Sequence, residues 1–152
     1  MSDITTVILA AGNSTRFKAS KSKLVYPLCG LPIVSHIFNI AKKISGKNIL
    51  VVSNEKNKEE LKLILNTSKL VVQKKQKGTA DAIEQVKKFV KSKNILILFG
   101  DTPLVEVKDI RKLVSKFKKS KAKASLIAFN TLEPHGYGCL LYTSDAADEA
   151  IG

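Results

Sequence analysis

At 152 residues, 44% hydrophobic and with a mean hydropathy of +0.01, the chain fits one globular domain with a real core and holds no apolar run long enough to span a bilayer. Its 26 lysines and arginines outnumber 13 acids, but Arg16 and Arg111 are the sole arginines and the lysines are spread over most of the expected helices. That pattern reads as a solvated surface rather than a specific nucleic-acid reader, which would favour arginine forks. Two cysteines, Cys29 and Cys139, and two distant histidines, His36 and His135, exclude a disulfide scaffold and zinc-type spacing. The N-terminus carries Asp3 where a signal peptide would be positive, so a cytoplasmic protein with no membrane partner is expected.

In chain order, apolar runs alternate with segments of helical spacing. Thr5–Ala10 reads as a strand, and Ile33, Ile37, Ile40 and Ile44 mark a helix after it. Ile49–Val52 is the next strand, followed by a shorter helix marked by Leu61 and Leu65. Leu70–Val72 comes third, then a helix carrying Ile83, Val86 and Val90, with Thr79 expected as its N-cap. Ile95–Phe99 precedes a helix marked by Val107, Ile110, Val114 and Phe117, and Ala124–Phe129 is expected as a fifth strand. These strands lack polar alternation, as strands buried on both faces of a parallel sheet do. The alternation predicts a doubly wound α/β fold with ligands at the carboxyl ends of its strands.

The segment after the first strand has the character of a phosphate-handling loop. Leu9 is followed by Ala10, Ala11 and Gly12, whose small side chains let a ligand approach the backbone N–H groups. Arg16 and Lys23 follow, two cations suited to neutralising a triphosphate and its pyrophosphate leaving group. Neither a P-loop nor a dinucleotide fingerprint is present, which excludes the kinases and dehydrogenases that need one. Further on, Gln73 offers a donor and an acceptor suited to a base edge, and Gly78 and Thr79 open a helix with free N–H groups. Asp101 follows the ILILF strand, where a carboxylate could hold Mg²⁺ against phosphate oxygens. Bland alternatives stand beside each reading: a polar strand end for Gln73, simple capping for Gly78-Thr79, a turn residue for Asp101.

Taken together, LAAG-x-x-TR and Lys23 in K-x-x-x-P-L-x-G-x-P-I resemble the signature of nucleotidyltransferases that activate sugar phosphates. Gln73 with Gly78-Thr79 in QKKQKGTADA, Phe99-Gly100-Asp101, and the EPHGYG segment ending at Gly138 are similar to motifs of one family. It is the bifunctional N-acetylglucosamine-1-phosphate uridylyltransferase/glucosamine-1-phosphate acetyltransferase family, and the motifs keep its order across nearly all of residues 5–138. The resemblance implies a Rossmann-like, mostly parallel sheet of the nucleotide-diphospho-sugar transferase type, incomplete at the C-terminus. It also implies transfer of uridylyl from UTP to N-acetylglucosamine-1-phosphate with Mg²⁺ as cofactor. Arg16 and Lys23 would then be catalytic; Leu9, Ala10, Ala11, Gly12, Lys23, Gln73, Gly78 and Thr79 would bind nucleotide. Phe99, Gly100, Asp101 and Gly138 would meet sugar or nucleotide, and Asp101 would hold the metal.

Two positions depart from the family: Ser14 stands where glycine is common, and Phe99 where tyrosine is. Cytidylyltransferases of molybdenum-cofactor synthesis share the serine, which keeps a CTP-using enzyme as the alternative, with a lysine-rich nucleic-acid module as the alternative from another class. His36 is expected as an ordinary helix residue, and no motif match gives His135 a role. After Gly138 lysine disappears, and CLLYTSDAADE resembles a translated sequencing adapter. The expected division is therefore a nucleotidyltransferase over residues 1–138 and an artefactual tail over 139–152. Lacking the family's later sugar-binding residues and acetyltransferase region, such a fragment is expected to bind UTP but to turn over poorly.

Overall fold

A computed structural model describes residues 3–13, 17, 21–67, 69–133 and 135. Two compact units divide the chain, Met1–Lys112 and Leu113–Gly152. The first is built on a four-stranded parallel sheet of β1 (Ile4–Leu9), β4 (Ile49–Ser53), β5 (Leu70–Val72) and β6 (Asn94–Phe99), in the order β5-β4-β1-β6. Two short strands, β2 (Pro27–Leu28) and β3 (Leu31–Pro32), form a separate antiparallel pair. Helices α1 (Ile33–Ser45), α2 (Lys58–Leu65), α3 (Thr79–Val86) and α4 (Val107–Lys119) follow the strands in turn, with α4 crossing the division between the units.

The apolar runs of β1 and β4 are buried on both faces. The expectation fails at β6, an edge strand whose Leu96 and Leu98 are buried while Ile95 and Phe99 on the other face are 42% and 49% exposed. In β1, Val7 and Ile8 point to opposite faces and both are wholly buried. Val7 joins Leu50 and Val52 of β4 and Ala82 and Val86 of α3 in one cluster. On the opposite face Thr6 Oγ1 accepts a hydrogen bond from Ser45 Oγ of α1 at 2.8 Å. Helices therefore cover both faces, and the expected doubly wound α/β architecture is present.

Three local expectations change. The buried stripe of α1 is Val34, Ile37, Phe38, Ala41, Ile44 and Ser45, while Ile33 and Ile40 are half-buried. Small residues let that helix approach the sheet, so Ala41 and Ser45, rather than the larger isoleucines, complete the contact face. Thr79 is not the N-cap of α3. Gly78 is, at φ 105° and ψ −177°, a conformation that only glycine adopts without strain. The expected strand Ala124–Phe129 has no regular secondary structure, and Leu126, Ile127 and Phe129 are exposed. An apolar run becomes a strand only where a neighbour completes its hydrogen-bond ladder, and none pairs with this one among the described residues. Residues 139–152, the expected tail, lie outside the described residues. Among those residues no helix is long and apolar enough to cross a membrane.

Candidate active site

The sheet order reverses direction at β1: the chain steps outward through β4 and β5, then returns to place β6 on the other side of β1. At such a switch point the loops leaving the two neighbouring strands diverge and open a crevice at their carboxyl ends. The register sets Leu9 beside Phe99, so β1 and β6 end at the same level. A cleft of about 290 Å³ opens there.

Its first wall is the loop after β1. The Ala10 N–H donates to Val52 O at 2.8 Å, so the loop leaves the sheet still tied to β4. Both following carbonyls are then claimed from the side of α2. Asn57 Nδ2 donates to Ala10 O at 2.8 Å, and Asn54 Nδ2 donates to Ala11 O at 3.0 Å. The two asparagines also hold each other. Asn57 Oδ1 accepts from the Asn54 N–H at 3.0 Å, and Asn54 Oδ1 accepts from the N–H groups of Lys56 and Asn57 at 2.9 Å each. Asn54 and Asn57 are buried, so water cannot easily replace these bonds. With their carbonyls fixed, the N–H groups of Ala11 and Gly12 make no hydrogen bond among the described residues. Asn57 occupies the N-cap position of α2 yet its side chain does not cap the helix. The adjacent Lys58 is held by Glu55 at 2.9 Å, and that hydrogen bond raises its pKa above the ordinary lysine value.

The second wall carries charge. Lys23 starts a 3-10 turn, Lys23–Val25, whose buried Leu24 anchors it beneath the cleft. Lys23 Nζ donates to Asp101 Oδ2 at 2.5 Å, joining the segment after β1 to the end of β6. Both side chains are more than a third exposed (38% and 40%), so the pair orients two charges more than it stabilises the fold. Between β6 and Asp101, Gly100 is buried against β1. A Cβ there would stand 3.2 Å from Leu9 O, closer than nearly all real Cβ contacts. Phe99 contributes a half-exposed ring to the cleft.

The third wall is the turn from β5 into α3. Gln73 is only 3% exposed, and its Nε2 donates to Gly78 O at 3.2 Å and to Asp81 Oδ2 at 2.6 Å. Gln76 bridges this turn to the first wall: its Oε1 accepts from Asn13 Nδ2, and its Nε2 donates to Gln73 O, both at 3.4 Å. Gly78 and Thr79 line the cleft at the start of α3.

The structure thus brings Leu9, Ala10, Ala11, Gly12, Lys23 and Gln73 to one cleft with Gly78, Thr79, Phe99 and Asp101, and places Gly100 directly under it. Arg16 and Gly138 lie outside the described residues. His36 does more than expected, since its Nε2 is 2.8 Å from Leu28 O and ties α1 to β2. Sequence reasoning missed Asn54, Asn57, Gln76 and Asp81. For the asparagines a signal existed: N-x-x-N directly after a buried strand, at the carboxyl edge where α/β proteins bind ligands.

This arrangement coincides with a family assignment. The sequence profile of the MobA-like NTP transferase domain matches residues 6–150. The chain belongs to that family. Its domain is of the nucleotidyltransferase type, and the cleft lies at the carboxyl ends of the strands, where open α/β sheets bind ligands. It is similar to the bifunctional protein GlmU of Buchnera aphidicola subsp. Schizaphis graminum, with 42% identity over 138 residues. That match takes in 90% of this chain but 30% of the relative, so the chain spans about a third of its relative's length. In fold it is similar to a putative glucose-1-phosphate thymidylyltransferase of Bacillus anthracis, with a TM-score of 0.69, 22% identity and coverage of 78% of this chain and 51% of that one. It is also similar to Rv0371c of Mycobacterium tuberculosis in complex with manganese, with a TM-score of 0.63, 17% identity and coverage of 79% and 62%.

Proposed function

We propose that this chain binds UTP in the cleft and serves transfer of its uridylyl group to N-acetylglucosamine-1-phosphate, giving UDP-N-acetylglucosamine and pyrophosphate. The observation that carries the reading is the meeting, in one cleft, of a buried side-chain amide (Gln73), a loop whose Ala11 and Gly12 N–H groups make no hydrogen bond among the described residues, and the Lys23–Asp101 pair. The likeness to a GlmU protein supports the choice of acceptor.

In this reading the uracil sits by Gln73 and the start of α3, and the phosphates run toward Lys23. The N–H groups of Ala11 and Gly12 donate to the nucleotide. The acceptor's phosphate oxygen attacks the α-phosphorus in line, the bond to the α,β-bridging oxygen breaks, and pyrophosphate leaves. Lys23 and Arg16 offset the negative charge that gathers on the leaving group. Phosphate is both nucleophile and leaving group, so no side chain needs to form a covalent bond. Asp101 offers one carboxylate, 40% exposed and with Oδ2 held by Lys23 Nζ. No cluster of three or more acids, histidines or cysteines stands with it among the described residues, so water and phosphate oxygens would have to supply a cation's other ligands. That donor set fits Mg²⁺, which keeps waters and takes phosphate oxygens as its remaining ligands. When bound there, Mg²⁺ would supply charge stabilisation at the phosphates.

Titration calorimetry with UTP and CTP in Mg²⁺, and pyrophosphate release on adding N-acetylglucosamine-1-phosphate, test the proposal. UTP is expected to bind more tightly than CTP and only with the metal present. Preference for CTP, or release stimulated by a different sugar 1-phosphate alone, would overturn it.

A further inference from the structure

We propose that Asp81 sets the base preference of the cleft by locking the Gln73 carboxamide with its oxygen toward the bound base. The inference rests on the uridylyl reading above and names the residue behind its selectivity.

A glutamine amide is ambiguous as a reader. Rotation by half a turn exchanges a donor for an acceptor while the shape hardly changes. A free Gln73 could therefore serve a base presenting either pattern. Here both hydrogens of Nε2 are committed, one to Gly78 O and one to Asp81 Oδ2. A carbonyl and an ionised carboxylate can only accept. Turning the amide over would lose both bonds and set Oε1 against two oxygens, in a residue too buried for water to relieve the conflict. The remaining amide atom, Oε1, has no partner among the described residues, and Gln73 lines the cleft.

The lock is itself held in place. Asp81 Oδ1 accepts from Gln85 Nε2 at 3.4 Å, one turn further along α3. Asp81 lies in the first turn of that helix, where a negative charge is favoured by the free N–H groups. The Gln73 backbone is fixed on both sides, its N–H donating to Ser53 O at 2.8 Å and its carbonyl accepting from Gln76 Nε2. An acceptor fixed at the base edge asks for a donor opposite. With base N3 opposite that oxygen, as the uridylyl reading has it, uracil presents N3–H, whereas cytosine presents a lone pair on N3 that faces the Gln73 oxygen unfavourably. Asp81 touches no nucleotide in this scheme and is a positioning residue.

The test is calorimetric titration of the whole chain with UTP and with CTP at one Mg²⁺ concentration, for wild type, Asp81→Ala and Asp81→Asn. Wild type is expected to favour UTP by about tenfold or more, the effect of one mismatched buried hydrogen bond. Asp81→Ala removes the shorter of the two anchors and leaves only the 3.2 Å bond to Gly78 O, so the ratio should fall clearly, with CTP binding more tightly than it does to wild type. A variant that is merely damaged would weaken both nucleotides alike. Asp81→Asn keeps an acceptor and should restore part of the ratio. If Asp81→Ala fails to fold, as read by far-UV circular dichroism, Asp81→Asn decides alone. It should lower the ratio, because its amide can meet Gln73 in either orientation. Wild-type preference for UTP that persists unchanged in the folded variants would overturn the lock and leave the uridylyl reading standing. Absence of any UTP preference in wild type would overturn that reading itself.

Discussion

Replacing Asn57 by alanine should destabilise the protein and weaken nucleotide binding by separable amounts. The substitution removes two hydrogen bonds at once: Nδ2 to Ala10 O at 2.8 Å and the Asn54 N–H to Oδ1 at 3.0 Å. Both groups left behind are buried, Ala10 at 1% exposure and Asn54 at 5%. An unsatisfied buried polar group costs about 1–3 kcal/mol, so two give roughly 2–6 kcal/mol before any water enters the gap. Relaxation of the loop toward solvent should return part of this, leaving about 2–4 kcal/mol. For a chain of this size each kcal/mol lowers the melting temperature by about 2–4 °C, so a fall on the order of 10 °C is expected. Urea unfolding followed by circular dichroism measures the first effect, and UTP calorimetry the second.

The control is Leu61→Ala, a wholly buried position on the same helix, away from the cleft. It should cost about 2–5 kcal/mol through its cavity while folded protein keeps its UTP affinity. Asn57→Ala should lose both, since the Ala11 and Gly12 N–H groups are aimed only while the carbonyls beside them are held. Asn54→Ala and Asn57→Ala remove different hydrogen bonds, but the two side chains hold adjacent carbonyls of one loop within one network, so their effects should also be non-additive. A stability change below about 0.5 kcal/mol, within the range of ordinary surface substitutions, would refute the reasoning. So would a destabilised variant whose folded form binds UTP normally.

Three further outcomes follow from the geometry. Asp101→Asn should alter unfolding by under about 1 kcal/mol in urea, since the Lys23 pair is exposed, yet leave UTP binding weak whether or not Mg²⁺ is present, which calorimetry with and without the metal checks. Gly78→Ala has open space for its Cβ but a backbone at φ 105°, so about 1–3 kcal/mol of strain should appear in urea unfolding with no steric clash to relieve. Ser53→Ala should be neutral or stabilising by up to about 1 kcal/mol, because Ser53 Oγ is fully buried without a hydrogen-bond partner among the described residues; a clear loss in thermal unfolding would mean that the hydroxyl is satisfied.

The sheet was legible because burial on both faces leaves a signature that survives in one sequence: runs such as Val7-Ile8 and Ile49–Val52 admit no polar alternation. The same signature misled at Ala124–Phe129, since apolarity reports a tendency to be buried and says nothing about whether a neighbouring strand is there to pair. Strand order also lies beyond periodicity. That β6 returns beside β1 is a long-range fact, and it is this return that brings Asp101 to Lys23 across 78 positions of sequence. Residues placed on motif grounds, such as Gln73 and Gly78, came out in one cleft. The side chains that hold them did not announce themselves, because Asn57 looks like an ordinary cap and Asp81 like an ordinary first-turn acid.

Those overlooked residues share a physical task. A ligand cleft built from backbone N–H groups and one amide is rigid only where the partner atoms of those groups are already committed. Here the commitment comes from buried asparagines on the α2 side and a carboxylate in α3, each hydrogen-bonded to the atom that must not face the ligand. What is left without a hydrogen bond among the described residues that line the cleft includes the N–H groups of Ala11 and Gly12 and the Gln73 Oε1. Such a design ties ligand selectivity to folding stability, because the bonds that aim the loop also satisfy its buried carbonyls. Substitutions at Asn54 or Asn57 should therefore move both properties together, and loss of Asp81, which leaves one Nε2 hydrogen of buried Gln73 without its acceptor, should also cost about 1–3 kcal/mol while shifting selectivity.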